Sequence, residues 1–121
     1  MQLVKPTLVV GASPNSWRYS YIVTEMLQEY GHPVTPYGIR KGTIGKLDIV
    51  NDWPDYKFDT ITLYLNKTRQ EAFYKPILGL KPKRIIFNPG AENLDFYNTA
   101  TSAGVNCYNA CTLVLLRTNQ Y

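Results

Sequence analysis

A short loop near the start of the sequence has residue types that could bind an anion. The run of residues 11–18, GASPNSWR, follows the apolar run TLVV, which has the length and composition of a buried strand. Its glycine permits a tight turn, its small side chains let backbone N–H groups approach a ligand, and its hydroxyls can donate hydrogen bonds. It contains neither the G-x-G-x-x-G fingerprint of dinucleotide-binding domains nor a Walker lysine. On its own, the loop fits either an anion site or an ordinary turn between a strand and a helix.

Basic residues are concentrated after the predicted strands. The chain has 13 Lys and Arg against nine Asp and Glu, a formal net charge of +4, but no basic block typical of a nucleic-acid tail. Over the same loops, acidic residues are few until Asp48. This distribution favours a phosphate-rich small-molecule ligand, with an ordinary solvated rim as the alternative, and we expect no nucleic-acid partner. The six basic residues that follow predicted strands are Arg18, Arg40, Lys41, Lys46, Lys67 and Arg69.

The end of the second predicted strand distinguishes between nucleotide ligands. NAD-binding domains place an acid there, which accepts hydrogen bonds from the ribose hydroxyls. Here the run is PYGIRK, which has no acidic residue. A carboxylate would repel a phosphorylated ribose, whereas Arg40 and Lys41 would attract one. The sequence therefore argues against NAD and for a ligand with a ribose phosphate, either NADP or coenzyme A (CoA).

Strand-like and helix-like patterns alternate along the chain. Such alternation predicts right-handed βαβ units, and therefore an α/β fold around a parallel sheet. The five predicted strands cover residues 7–11, 34–39, 60–65, 84–88 and 105–109. The three predicted helices cover residues 20–30, 70–78 and 94–103.

The remaining segments have weaker patterns. Residues 40–59 are expected to form a long loop with a short helical turn, and residues 112–121 fit either a helix or an edge strand. The sequence shows no repeat, low-complexity stretch or linker, so we expect a single domain over residues 1–121.

The composition excludes several classes of protein. Hydrophobic residues make up 45% and charged residues 18% of the chain, which is typical of a folded domain and excludes wholesale disorder. No apolar run approaches the ~20 residues of a membrane span, so we expect no membrane partner. The first 13 residues lack the basic and long apolar regions of a secretory signal, which predicts a cytoplasmic protein. Two cysteines, Cys107 and Cys111, and the single His32 predict neither a disulfide scaffold nor a metal site.

The run VVGASPNSWRYSYIVTEML, followed by V-x-P and K-G-T-I-G-K-L, resembles a known family. The chain is similar to the small single-domain CoA-binding proteins of the YccU-like group, and through them to the CoA-binding domain of the succinyl-CoA synthetase α subunit. The resemblance covers nearly the whole chain, is most specific in G-A-S-x(4)-R-x-S-Y, and extends to Cys111. It implies a Rossmann-like three-layer α/β fold with a five-stranded parallel sheet that binds CoA without a demonstrated reaction.

The resemblance also implies positions for the ligand. The loop after the first strand would line the pyrophosphate or pantetheine path and its rim, and Lys41 would meet the ribose phosphate or adenosine. Residues after the third and fourth strands would lie along the ligand. Two departures from the family pattern are Gly38-Ile39, where relatives commonly have Asn-Pro, and Glu92, to which we assign no role. The binding residues that follow from the charge pattern and the resemblance are Gly11, Ala12, Ser13, Arg18, Ser20, Arg40, Lys41, Tyr64, Leu65, Asn66, Asn88, Pro89 and Gly90.

The sequence supplies no clear catalytic constellation. His32 is expected in a surface turn, on the side away from the strand carboxyl ends. Cys111 could form a mixed disulfide with the CoA thiol, although a cysteine in this setting is more often a small buried side chain. We therefore predict a non-enzymatic protein that binds CoA or an acyl-CoA, as a sensor or regulatory module. The alternatives are an NADP-binding oxidoreductase-like protein and an interaction protein whose cleft is empty.

Overall fold

Five short parallel strands form a sheet at the centre of the structure, a computed structural model that describes residues 3–121. Each strand has four residues, and neighbouring strands pair over all four. The strands, in the order in which they lie across the sheet, are β2 (Val34–Tyr37), β1 (Thr7–Val10), β5 (Thr60–Leu63), β6 (Arg84–Phe87) and β7 (Asn106–Asn109).

Helices cover both faces of this sheet. Alternate residues of a strand point to opposite faces, so Val9 packs in one apolar cluster with Leu27 and Leu116, whereas Leu8 packs in another with Phe96. All four residues of β1 and of β5 are buried, as expected for a sheet covered on both sides. The predicted Rossmann-like three-layer α/β fold is confirmed. The helices are α1 (Tyr19–Glu29) and α5 (Thr112–Arg117) on the first face, and α3 (Tyr74–Gly79) and α4 (Leu94–Ser102) on the second.

The strand order creates a crevice at one edge of the sheet. β1 lies between β2 and β5, and the chain leaves β1 and β5 towards opposite faces. Where successive connections diverge in this way, the carboxyl ends of the strands leave an opening that α/β proteins use for ligands. The ends of β2, β1 and β5 all meet at this opening.

The helix predictions hold in part. The helices predicted over residues 20–30 and 94–103 are confirmed as α1 and α4. Residues 112–121, for which the sequence allowed either a helix or an edge strand, contain helix α5. The longest of these helices, α1, has 11 residues, and within residues 3–121 no helix is long and apolar enough to cross a membrane.

The helical character predicted over residues 70–78 is confirmed, but the segment is not one continuous helix. This part of the chain contains α2 (Lys67–Gln70), a 3₁₀ turn (Glu71–Phe73) and then α3. Pro76 explains the break, because a proline has no backbone N–H and its ring clashes with the carbonyl four residues earlier. A proline is tolerated in the first turn of a helix, which is where Pro76 lies in α3.

The prediction of a helical turn within residues 40–59 is wrong. This segment contains an antiparallel hairpin, with β3 (Thr43–Ile44) and β4 (Leu47–Asp48) joined by a two-residue turn. Ile44 is fully buried in the α1 side of the core, and this burial anchors the hairpin. After the hairpin, Val50 forms a parallel bridge with Tyr37 at the end of β2.

His32 is buried rather than at the surface, so that prediction is wrong. Only 3% of the residue is exposed, because the ring of Tyr121 packs against it with the centroids 4.9 Å apart. The backbone N–H of Lys5 donates to His32 Nδ1 at 3.0 Å. Burial is the main cause that lowers the pKa of the imidazole below 6.5, and the charges of Lys5 and Arg84 lower this pKa further, whereas Asp59 opposes them.

We predict that the free energy of unfolding falls as the pH drops below 6.5, the ordinary pKa of the imidazole. In this range the unfolded chain takes up a proton that buried His32 resists, since a protonated Nδ1 cannot accept from Lys5. One proton gives a slope of at most about 1.4 kcal/mol per pH unit. Urea unfolding between about pH 5 and pH 7.5 measures this slope, and His32→Asn, which keeps an acceptor but does not titrate, is the control. Equal slopes for the two proteins would contradict the prediction.

Candidate functional site

A cavity of about 430 Å³ lies at the carboxyl ends of β1, β2 and β5, where the strand order leaves the crevice. Three short segments line it, one after each of these strands. The first belongs to the loop between β1 and α1, the second begins at the last residue of β2, and the third runs from the end of β5 into the 3₁₀ turn. The lining residues are Gly11, Ala12, Ser13, Asn15, Arg18, Tyr37, Gly38, Ile39, Arg40, Tyr64, Leu65, Arg69 and Phe73.

The loop after β1 is held between the two neighbouring strands. The N–H groups of Gly11 and Ala12 both donate to the carbonyl of Tyr37, at 3.0 and 2.9 Å. Gly11 has a φ of +99°, a conformation that favours glycine. A Cβ there would lie 3.0 Å from the carbonyl carbon of Tyr64. Glycine therefore lets the loop pass directly over the backbone that follows β5.

The loop after β2 approaches the first loop even more closely. A Cβ at Gly38 would lie 2.3 Å from the carbonyl oxygen of Ala12, a separation that no side chain could occupy. The side-chain amide of Asn51 donates to the carbonyls of Gly38 and Arg40, at 2.9 and 3.0 Å. These contacts fix the backbone on both sides of the cavity mouth.

The N-terminus of α1 opens towards the cavity. Its capping residue, Arg18, has an extended backbone and lines the cavity, and the Arg18 side chain makes no capping hydrogen bond. The first turn of α1 contains no acidic residue. Since the first N–H groups of a helix lack partners within it and carry the positive end of its dipole, this end of α1 favours an anion.

Three arginines supply the charge of the cavity. Arg18, Arg40 and Arg69 are exposed and come from the three different loops. No Asp or Glu of the described residues lines the cavity, and the ion pair that the structure shows, Lys67 with Asp95 at 3.1 Å, lies outside it. The three guanidinium groups are thus available for a ligand that carries several negative charges.

An aromatic cluster forms the apolar part of the wall. Tyr37 and Phe73 line the cavity, with ring centroids 5.7 Å apart. Behind them, Trp53 packs against both rings, at 5.0 Å from Tyr37 and 5.5 Å from Phe73. The lining thus combines the apolar side chains of Leu65, Tyr37 and Phe73 with three arginines, a mixture that suits an organic phosphate.

The chain matches one family model over most of its length. Residues 5–117 match the model described as a CoA binding domain. The chain belongs to the CoA-binding domain family. This match confirms the family resemblance that residues 11–21 carry. It also supports CoA as the ligand of this domain.

Several solved structures have the same fold. One uncharacterized protein has 40% sequence identity to this CoA-binding domain and a TM-score of 0.96, and the match covers 99% of this chain and 100% of that chain. A hypothetical protein from Pyrococcus horikoshii OT3, at 21% identity and TM-score 0.85, matches over 95% of this chain and 83% of its own. A Thermus thermophilus protein, at 19% identity and TM-score 0.81, matches over 97% and 91%. The latter two show the fold alone. A search of curated proteins gave no match.

The structure gathers about half of the predicted binding residues at the cavity. Gly11, Ala12, Ser13, Arg18, Arg40, Tyr64 and Leu65 line it. The others lie elsewhere in the CoA-binding domain: Ser20 is buried in α1, Lys41 is exposed beside the cavity wall, Asn66 caps α2, and Asn88, Pro89 and Gly90 follow β6 away from the lining. The lining residues absent from the predicted set are Asn15, Tyr37, Gly38, Ile39, Arg69 and Phe73.

Asn88, predicted as a binding residue, is buried and hydrogen-bonded within the fold. It is 1% exposed, and its side-chain amide donates to Thr62 Oγ1 at 2.6 Å and to the Leu63 carbonyl at 2.9 Å. Its oxygen accepts from the backbone N–H of Thr112 at 2.9 Å. Asn88 therefore ties β5 and β6 to the start of α5.

The two cysteines differ in their surroundings. Cys107 is buried in the sheet, and burial raises the pKa of its thiol. Cys111 is half-buried at the start of α5 and lies outside the cavity lining. Burial, with Cys111 nearby, raises the pKa of the Tyr64 hydroxyl, which stays protonated at neutral pH.

We predict that Gly38→Ala lowers both stability and CoA affinity, because the new methyl group would collide with the Ala12 carbonyl. Such overpacking typically costs about 1–3 kcal/mol of the free energy of unfolding. The control is Gly79→Ala, where a Cβ meets nothing within 4 Å and stability should hold or rise. Urea unfolding and CoA titration measure both effects. If Gly38→Ala behaved like Gly79→Ala, the close approach of the two loops would not shape the site.

Proposed function

We propose that the cavity binds CoA or an acyl-CoA without catalysing a reaction, so that the protein acts as a sensor or regulatory module. The observation that carries this proposal is the convergence on one cavity of a CoA-binding domain of three arginines that have no carboxylate partner within residues 3–121. CoA has a pyrophosphate and a 3′-phosphate, and arginine binds such groups with paired, charge-assisted hydrogen bonds.

The loop after β1 and the start of α1 suit the pyrophosphate. The loop has side chains small enough for a ligand to approach its backbone, and Ser13 and Asn15 line the cavity. Arg18 would add a charge-assisted contact where the N-terminus of α1 already favours an anion. The aromatic side of the cavity would cover the apolar parts of the same ligand.

Arg40 supports a ligand with a ribose phosphate. It follows β2, the position where NAD-binding domains have an acidic residue, and it lines the cavity. Lys41, to which the family resemblance gives this role, is exposed and outside the lining. We therefore assign the 3′-phosphate contact to Arg40 in preference to its neighbour.

The chemistry of the lining supports a binding role. Nucleophilic or general acid–base catalysis needs a nucleophile next to a base, or a titratable group near neutral pH. Among the described residues that line the cavity, Ser13 is a hydroxyl without a base in the lining, and the only ionisable side chains are arginines and tyrosines. We expect the protein incubated with acetyl-CoA to release no free thiol above the spontaneous rate.

We predict that CoA stabilises the protein more than NADP or NAD does. At 100 times its Kd, a ligand that binds only the folded state adds about 2.7 kcal/mol, which raises the Tm of a domain of this size by about 10 °C. Arg40→Gln should weaken CoA about tenfold, the effect of losing 1.4 kcal/mol, and weaken dephospho-CoA less. Lys41→Gln is the matched control, with a smaller effect on either ligand.

Calorimetric titration of these variants decides between the candidates. A larger stabilisation by NADP than by CoA would favour the oxidoreductase-like alternative. Absence of stabilisation by any of these nucleotides would refute the proposed function and favour an interaction protein. Equal loss of CoA and dephospho-CoA affinity in Arg40→Gln would remove the 3′-phosphate contact from Arg40.

A further inference from the structure

One polar side chain is fully buried within an exposed stretch of the chain. Residues 66–72 are exposed at every position except Gln70, which has no exposed surface. Burying a side-chain amide is unfavourable unless its hydrogen-bonding groups find partners. Gln70 lies in the third cavity segment, directly after Arg69.

All the polar groups of Gln70 have partners. Its Nε2 donates to the carbonyl of Leu65 at 2.8 Å and to the carbonyl of Ala91 at 2.7 Å. Its Oε1 accepts from Nδ2 of Asn93 at 3.0 Å. Leu65 belongs to the cavity wall, whereas Ala91 and Asn93 belong to the turn between β6 and α4. The buried amide therefore connects the third cavity segment to a neighbouring turn.

Asn93 extends this connection into α4. It is 2% exposed, its Nδ2 also donates to the Tyr74 hydroxyl at 2.7 Å, and its Oδ1 accepts from the N–H of Phe96 at 3.1 Å. The last contact caps α4. The N-terminus of α4 is anchored in the core, because Phe96 is fully buried. Through Asn93, this helix end holds the Gln70 side chain in place.

The segment that carries Arg69 and Phe73 needs such support. It consists of α2, with four residues, and one 3₁₀ turn, with three. Helices this short are not stable by themselves, because too few hydrogen bonds offset the ordering of the backbone. Asn66 supplies one local contact, as its side chain accepts from the N–H of Arg69 at 2.9 Å. Phe73 packs on the rings of Tyr37 and Trp53, and the exposed Lys67 pairs with Asp95. The contacts of Gln70 add buried hydrogen bonds between the segment and the turn before α4.

We propose that Gln70 is a positioning residue of the binding site, which acts through Arg69. The buried amide holds residues 66–73 in place and so keeps the Arg69 guanidinium at the cavity. Gln70 itself does not touch the ligand. This inference rests on the proposed function, because the anion that Arg69 meets is a phosphate of CoA.

The test combines a ligand-free measurement with a mutant cycle. Gln70→Met keeps the length of the side chain and removes its polar contacts. Hydrogen exchange of the free protein should be faster over residues 66–73 in this variant and unchanged in the strands. Calorimetry should show CoA bound about tenfold more weakly, the effect of losing 1.4 kcal/mol. In an Arg69→Gln background, the same change should cost about twofold or less, because the residue through which it acts is absent.

Two further variants keep the result interpretable. Ile85→Val destabilises β6 without touching the segment and should leave CoA affinity unchanged. Asn93→Ser retains an oxygen that can cap α4 but withdraws the donor to Gln70, and it replaces Gln70→Met if that variant does not fold. Asn93→Ser should weaken CoA in the same Arg69-dependent manner.

The outcomes separate the two proposals. Unchanged exchange over residues 66–73, or an equal loss of affinity with and without Arg69, would overturn the role of Gln70 while CoA binding stands. A loss of affinity in Ile85→Val as large as that in Gln70→Met would overturn it as well. If the wild-type protein does not bind CoA, the proposed function fails, and the positioning of Arg69 for that ligand fails with it.

Discussion

The contact between two loop backbones at the mouth of the cavity determines the shape of the site. Gly38 lies so close to the Ala12 carbonyl that a methyl group would stand 2.3 Å from its oxygen. The Tyr37 carbonyl, one residue earlier, accepts both N–H groups at the start of the first loop. Because backbone groups meet backbone groups here, the arrangement is set before a ligand arrives. Association then orders side chains such as the exposed arginines but little of the loop backbone, which limits the entropic cost of binding.

Buried and exposed polar side chains have different roles in and around the site. The amides of Gln70, Asn88 and Asn93 are buried and fully engaged in holding elements together, so they have no capacity left for a ligand. The guanidinium groups of the cavity are exposed and lack carboxylate partners among the described residues. Charged groups that stay in water before binding avoid the desolvation cost of a permanently buried charge. This division is consistent with a rigid scaffold that presents flexible cationic side chains.

Much of this arrangement is predictable from residue types, and the rest depends on tertiary contacts. The small residues after the first strand and the basic residues after the second indicate a phosphate site without any coordinates. The sequence cannot decide which of the neighbours Arg40 and Lys41 faces the cavity, because that depends on the local backbone. Gln70 lies in a run of polar residues, a pattern that indicates an exposed side chain. Its burial follows from a turn more than 20 residues away. The hairpin strands, with two residues each, are too short for a periodic signal.

The hairpin has a consequence for the outer edge of the sheet. A strand at an edge presents unpaired backbone groups to which another chain can add, a common start of aggregation. On β2, Pro36 has no N–H to offer, and its carbonyl accepts from the N–H of Val50 at 2.8 Å. The chain that returns from the hairpin therefore occupies this margin beside the ligand cavity. Addition of a strand from another chain is therefore blocked at this part of β2.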